Sequence, residues 1–454
     1  MEEAEKTSGR TPEKIPDIVI TPPGPESRSW HERAIRHMRG YSSQVKQFPV
    51  VWESGQGSTM TDVDGNIYID FSAGIYCNST GHCHPRVAEK IKKYADKLIN
   101  CHDFTTPVKT LFLEKLASLL PGNINGIQLY CGGSEAVEAA LRAVRVIKGG
   151  KYEMFSFWGD WHGKTMGSMS LSSLGNEAFG PRAAGCHLSP VPNCFRCPFK
   201  LKYPSCRLTC MDILEGTIEN EGTGMQAAVV MELIQGYSGT VVYPEEVYPR
   251  IADICKKKEM LLVIDEILTG MGRTGRMFCC EHFGLIPDVI TLGKGVGGGF
   301  PVSAFAVKEE YAWALEKASA STTYGGNPMA CAAGLATLEV IEEENILDNV
   351  NKVGEFLINR LKKLKEDHPI VGDVRGKGLL LAIDLVKNRG TNETFDEAGK
   401  IVYRKAFEKG LDWIPAGNIL RLDPPLVITE ELAGKAIDII EESISETEKQ
   451  FGII

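Results

Sequence analysis

Two residues in this sequence have types and settings suited to covalent chemistry: Asp265, which ends the apolar run of LLVIDEILTG, and Lys294, 29 positions later in LGKGVGGGFPVSAF. A carboxylate buried without a partner costs on the order of several kcal/mol, so Asp265 needs a cation. A protonated ring nitrogen would serve. Lys294 has Gly293, Gly295 and Gly297–Gly299 around it, which leaves room for a bulky adduct at its amine. Desolvation there would lower its pKa and allow imine exchange near neutrality. Together they could hold the two ends of an aromatic aldehyde cofactor, for which pyridoxal phosphate is the candidate. The plainer alternatives are a solvated loop lysine, and an Asp265 or Glu266 that caps a turn or ligates Mg²⁺; no G-x-x-x-x-G-K-[ST] loop supports the last.

Further motifs fall in chain order around this pair. CGGSEAVEAALRAVR (131–145) opens a helix in which Gly133 and Ser134 sit at the N-terminus, where free N–H groups and a hydroxyl could bind phosphate or simply cap. FWGDWHGKT (157–165) places Trp161 and His162 before a glycine turn; the indole could stack on a planar cofactor or belong to the core. TTYGGNPMACAAG (322–334) offers Thr323 as a second phosphate contact. Arg421, within NILRLDPPLVIT, lies in an apolar strand pattern where a guanidinium needs an anion, either a substrate carboxylate or a structural salt bridge.

The elements that must position these residues are legible as alternation. Short apolar runs at 127–130, 154–157, 228–233, 261–266, 289–293 and 303–307 alternate with helical patterns, which predicts an α/β fold with a mostly parallel sheet. Ligands gather at the carboxyl ends of such strands, where every motif above falls. Residues 50–70 read as an antiparallel meander, 11–26 as a proline-rich extended arm, and 328–365 as a long helical stretch. The expected division is an arm and meander (1–106) joining a smaller domain, a large cofactor-binding domain (107–338), and a C-terminal α+β domain (339–454).

Composition excludes several classes. A net charge of −9 without a basic block argues against a nucleic-acid partner or an anionic membrane surface. The polar start MEEAEKTSGR and the lack of any apolar run near ~18 residues favour a cytoplasmic protein. Thirteen cysteines in so long a chain do not indicate a secreted scaffold. Four of them, Cys194, Cys197, Cys206 and Cys210, form C-x₂-C-x₈-C-x₃-C, compatible with zinc, with two disulfides or with free thiols. No metal ligand set is assigned.

From about Asp62 to Ile428 the chain resembles the class III aminotransferases, the PLP-dependent group that includes 4-aminobutyrate, acetylornithine and ornithine aminotransferases. DVDGNIYIDFSAGI, GHCHP, GGSEAVEAAL, WHGKT, DEILTGMGRTG, LGKGVGGGFPV, TTYGGNP and LRLDPPLVIT carry the likeness. It implies fold type I, with a large mostly parallel-sheet domain and a smaller α+β domain, and an obligate homodimer acting on an amino acid and a 2-oxo acid. Lys294 would then be the imine-forming proton shuttle, and Asp265 the partner of the ring nitrogen. Gly133, Ser134 and Thr323 would hold the phosphate, Thr323 from the other subunit. Trp161, His162, Glu232 and Ile267 would surround the ring, and Arg421, Tyr76 and Tyr237 would meet the substrate.

Three departures from the family pattern matter. Tyr237, in ELIQGYSG, replaces the glutamate that pairs the carboxylate-binding arginine. Leu268 replaces a glutamine near the cofactor, and Ile75 replaces the ornithine-type tyrosine. They open a second reading, an amino-acid racemase or epimerase of the same family.

Overall fold

The computed structural model describes residues 14–173 and 179–454; the polar start of the chain and residues 11–13 of the expected arm lie outside that span. Its central sheet has seven strands: β1 (Ile124–Tyr130), β2 (Glu153–Phe157), β3 (Cys186–Ser189), β4 (Gln226–Met231), β5 (Leu261–Asp265), β6 (Val289–Leu292) and β7 (Ser303–Lys308). The lateral order is β1-β7-β6-β5-β4-β2-β3. Only β7 runs against its neighbours. The inner strands β5 and β6 are buried along their whole length, so both faces must be apolar and the sequence reads as an unbroken hydrophobic run. β3, CHLS, escaped the sequence reading because it is a short, half-buried edge strand without such a run.

A second, antiparallel sheet joins Val371–Lys377, Leu380–Asn388, Ile419–Leu422 and Ile414–Ala416. Arg421 lies inside it, opposite Ala382 on one side and Ile414 on the other. Helices Ile346–Asp367, Asp396–Glu408 and Glu430–Gln450 pack around it. The expected meander is present as Trp52–Gln56, Thr59–Asp62 and Ile67–Asp70. Its last strand pairs in parallel with Leu411–Asp412, which ties the beginning of the chain to its end.

Two local expectations need correction, and one turn was not foreseen. The arm is not extended throughout: a helix starts at Pro25, and its first N–H groups, those of Glu26 and Ser27, donate to the carboxylate of Asp64 at 2.8 and 2.9 Å. The stretch 328–365 is two helices, Pro328–Glu343 and Ile346–Asp367, divided by Asn345 at φ 51°. The first of these runs through position 338. Finally, Ala73, Gly74, Ile75 and Tyr76 all have positive φ (48°, 59°, 62° and 66°), a left-handed turn that no pattern announced. Each non-glycine residue there costs about 1–2 kcal/mol. Asp70 holds the turn: its carboxylate accepts from Ser72 N at 2.7 Å, from Ala73 N at 2.9 Å and from His82 Nε2 at 2.6 Å.

Candidate active site

The carboxyl ends of β2, β4, β5 and β6 converge on one cleft. Asp265, the last residue of β5, is buried and fully engaged. Its Oδ1 accepts from Ile267 N at 3.0 Å and from the hydroxyl of Thr291, its register partner on β6, at 2.9 Å. Its Oδ2 lies 2.7 Å from His162 Nδ1. The cation Asp265 needs is therefore supplied partly by the chain itself. His162 sits beneath the cleft between two carboxylates, Asp265 and Asp160, the latter at 3.6 Å from Nε2. Burial alone would favour the neutral ring, but the two carboxylates outweigh it and lift the pKa to about 10. An imidazolium there sets a positive charge against Oδ2 of Asp265.

Lys294 follows β6 directly. Gly293 is extended and Lys294 itself adopts φ 44°, so the backbone turns sharply at the strand end and aims the side chain into the cleft. Its ammonium lies 6.0 Å from the centre of the Tyr76 ring. Burial lowers its pKa from the usual lysine value, against the opposing pull of Asp265 and Glu232. An amine that gives up its proton more readily than a surface lysine is what imine chemistry requires.

The cleft, about 820 Å³, is lined by Tyr76, Trp161, Glu232, Tyr237, Lys294 and Arg421 among others. A neighbouring chamber of about 270 Å³ is formed by Gly133, Ser134, Trp161, His162, Gly163, Lys164, Ile267 and Lys294. Helix Gly133–Ile147 points its N-terminus at this chamber. Ser134 Oγ accepts from Lys164 N at 3.0 Å, which joins the helix start to the loop after β2. A side chain at Gly133 would press on Ile267, with a Cβ only 3.1 Å from its Cδ1, so the glycine keeps the wall close to the strand. Free N–H groups at a helix start, a buried carboxylate and an amine of lowered pKa fit a phosphorylated pyridine aldehyde: Gly133 and Ser134 would hold its phosphate, Asp265 its ring nitrogen and Lys294 its aldehyde carbon.

Glu232, just past β4, accepts from Trp161 N at 2.8 Å and from Gly236 N at 3.0 Å, so it braces the two loops that carry Trp161 and Tyr237. Burial, reinforced by Asp160, pushes its pKa up to about 8. Those two aromatic residues stack on each other, centroids 4.5 Å apart at 17°. Arg421 is 5.7 Å from the Tyr237 ring centre, with Nη1 3.5 Å from the Tyr76 hydroxyl. Among the described residues its Nε has no hydrogen-bond partner. Such a buried guanidinium is prepared for a carboxylate.

The sequence-derived set is thus gathered in one place with one exception. Thr323 is exposed on the turn before helix Pro328–Glu343; its carbonyl accepts from Asn100 Nδ2 at 3.3 Å, and it lines neither chamber. Sequence reading missed Arg273, fully buried with Nη1 donating to Leu379 O at 3.1 Å and Pro424 O at 2.5 Å, and Asp423, whose pKa burial raises to about 7. A cation in the apolar setting GMGRTG was the available signal for Arg273. Cys194, Cys197, Cys206 and Cys210 line a single small pocket away from the cleft. All thirteen cysteines are free thiols, so the disulfide alternative is not realised, and no metal-binding group of three or more side chains occurs among the described residues.

Comparison with known proteins agrees with this geometry. The sequence profile of the class-III aminotransferases matches residues 40–444. A leucine/methionine racemase of Thermococcus litoralis is 36% identical over 419 residues, 90% of this chain and 93% of that protein. An acetylornithine aminotransferase of Caldanaerobacter subterraneus is 35% identical over 412 residues, 88% and 96% of the two chains. Among solved structures, an amine transaminase from an uncultivated Pseudomonas species superposes with a TM-score of 0.85 at 31% identity, over 90% of this chain and 98% of the other.

Proposed function

This chain belongs to the class-III aminotransferase family, whose cofactor is pyridoxal 5′-phosphate, and on that premise we propose that its cleft moves an amino group between an amino acid and a 2-oxo acid. The observation that carries the reading is the pairing of a buried lysine of lowered pKa with a strand-end carboxylate fixed by Thr291, Ile267 and His162. Bound cofactor supplies an electron sink for the bond broken at Cα. The protein does the rest. Gly133 and Ser134 would anchor the phosphate end, Ile267 and Trp161 would lie against the ring, and Asp265 would keep the ring nitrogen protonated. Arg421 would take the substrate carboxylate, and Lys294 would accept the proton that leaves Cα and hold it for return.

We read the molecule as a cytoplasmic homodimer in which Thr323, outside its own cleft, serves the cleft of a second copy. Exposed Ile99, Phe104 and Tyr324 beside it are the apolar surface such a contact would cover. In this reading residues 107–338 are the large cofactor-binding domain, 339–454 the small domain, and 1–106 the arm and meander that join the latter.

One observation favours a second activity at the same site. Tyr237 gives Arg421 an aromatic face where the family pattern has a glutamate, so that carboxylate is not there to pair the arginine when substrates alternate. Racemisation needs no such alternation. Incubating the cofactor-loaded protein with single L-amino acids, with and without 2-oxoglutarate or pyruvate, separates the two: keto-acid production beyond one equivalent per site requires the acceptor in transamination, whereas enantiomer conversion without acceptor marks racemisation. Neither product across a broad panel would remove both readings.

A further inference from the structure

Ile75, Tyr237, Leu268 and Ile419 line the cleft beside Arg421. Tyr237 also borders an adjoining recess of about 360 Å³ with Met166 and Phe179. Ile75, Met166, Phe179 and Tyr237 are 45%, 62%, 55% and 45% exposed, so large apolar side chains that normally seek burial are gathered at one opening. Cations are few there. Among the described residues the lining includes only Lys164, Lys294 and Arg421. Lys294 is committed to the cofactor, Arg421 can serve one carboxylate, and Lys164 is exposed, its ammonium 5.7 Å from the Trp161 ring beside the phosphate chamber.

We infer that the cleft selects amino acids with one carboxylate and an apolar side chain, and that Tyr237 is a specificity-determining residue. The inference rests on the functional reading above and adds the substrate class to it. A carboxylate on Arg421 leaves the side chain to fall against Tyr237, Leu268 and Ile419. A second carboxylate in that position would lose its water against apolar atoms and gain no buried cation, whereas branched aliphatic groups would displace water from the same surface. Tyr237 is held for this task. Its ring is stacked on Trp161, and the loops bearing both residues are fixed by Glu232.

The test uses two carboxylates that have no amine and cannot react. The cofactor-loaded protein is titrated calorimetrically with 4-methylpentanoate and with glutarate, and Cα-proton exchange of L-leucine is followed in parallel. The expected result is binding of 4-methylpentanoate at least about tenfold tighter than glutarate, a ratio of the size that apolar pocket contacts supply. Tyr237→Ala should bring the two affinities to within about threefold, mainly by weakening 4-methylpentanoate. Equal or tighter glutarate binding to the unaltered protein overturns the inference while leaving the functional reading in place. So does failure of both carboxylates to bind a protein that still exchanges leucine. Absence of exchange with every amino acid removes the functional reading itself.

Discussion

At the scale of single residues, the site separates charge placement from chemistry. Asp265 contributes a negative charge whose position is set by Thr291 and Ile267 N on one oxygen and His162 on the other. Asp265→Asn tests the charge by itself, because an amide oxygen can still accept from Thr291 and Ile267 N. The expected outcome is a protein that folds and retains cofactor, seen by absorbance, but processes amino acids on the order of 10²–10³-fold more slowly. A loaded variant within about threefold of the parent rate would show that the ring nitrogen does not depend on this carboxylate. The pairing with His162, 103 residues away, was invisible in the sequence. What was visible was the cost of leaving an aspartate unpaired at the end of LLVID, which is why the residue stood out while its partner did not.

At the scale of elements, what could be read followed from burial. Strands β4, β5 and β6, covered on both faces, announce themselves as apolar runs, and their carboxyl ends fix where Glu232, Asp265 and Lys294 must emerge. The helix at Gly133 was legible from its glycine and serine start. Elements whose conformation depends on distant groups were not. The left-handed turn of Ala73–Tyr76 exists because Asp70 gathers Ser72, Ala73 and His82 around one carboxylate, and it is this turn that sends Ile75 and Tyr76 to the cleft. The Trp161–Tyr237 stack likewise depends on Glu232 reaching two loops at once. Tyr237 could be picked out as an unusual residue in its motif; that it would lie against Trp161 and under Arg421 required the fold.

At the scale of the whole molecule, the interior stores protons. Burial raises the carboxyl pKa values of Asp412 and Glu232 to about 8 and of Asp423 and Glu266 to about 7, and the carboxylates beside His162 raise it to about 10. Unfolded, these groups would titrate near 4 for the acids and about 6.5 for the histidine. Through these five groups the folded chain binds more protons than the unfolded chain between about pH 4 and pH 10, and the stability they contribute falls as pH rises through that window. The opposite contributions come from carboxyls held low such as Asp64 and Glu446, lost below about pH 4.5, and from the fewer bases whose pKa burial lowers, His282 and Lys294. Thermal melts of the cofactor-free protein should give a lower Tm near pH 9 than near pH 6. A Tm that rises over that interval would mean that these buried groups are ionised in the native state.

The central claim is that Lys294, working against Asp265 and a substrate held by Arg421, labilises the Cα–H bond of an amino acid, a step common to transamination and racemisation. Proton NMR in D₂O measures it without regard to product, by following the Cα–H signal of L-amino acids with cofactor-loaded protein and no 2-oxo acid present. The account predicts deuterium exchange at Cα for the parent protein and a loss on the order of 10²–10⁴-fold in Lys294→Ala supplied with the same cofactor. Exchange undiminished in Lys294→Ala, or absent from the loaded parent across the amino-acid panel, would contradict it.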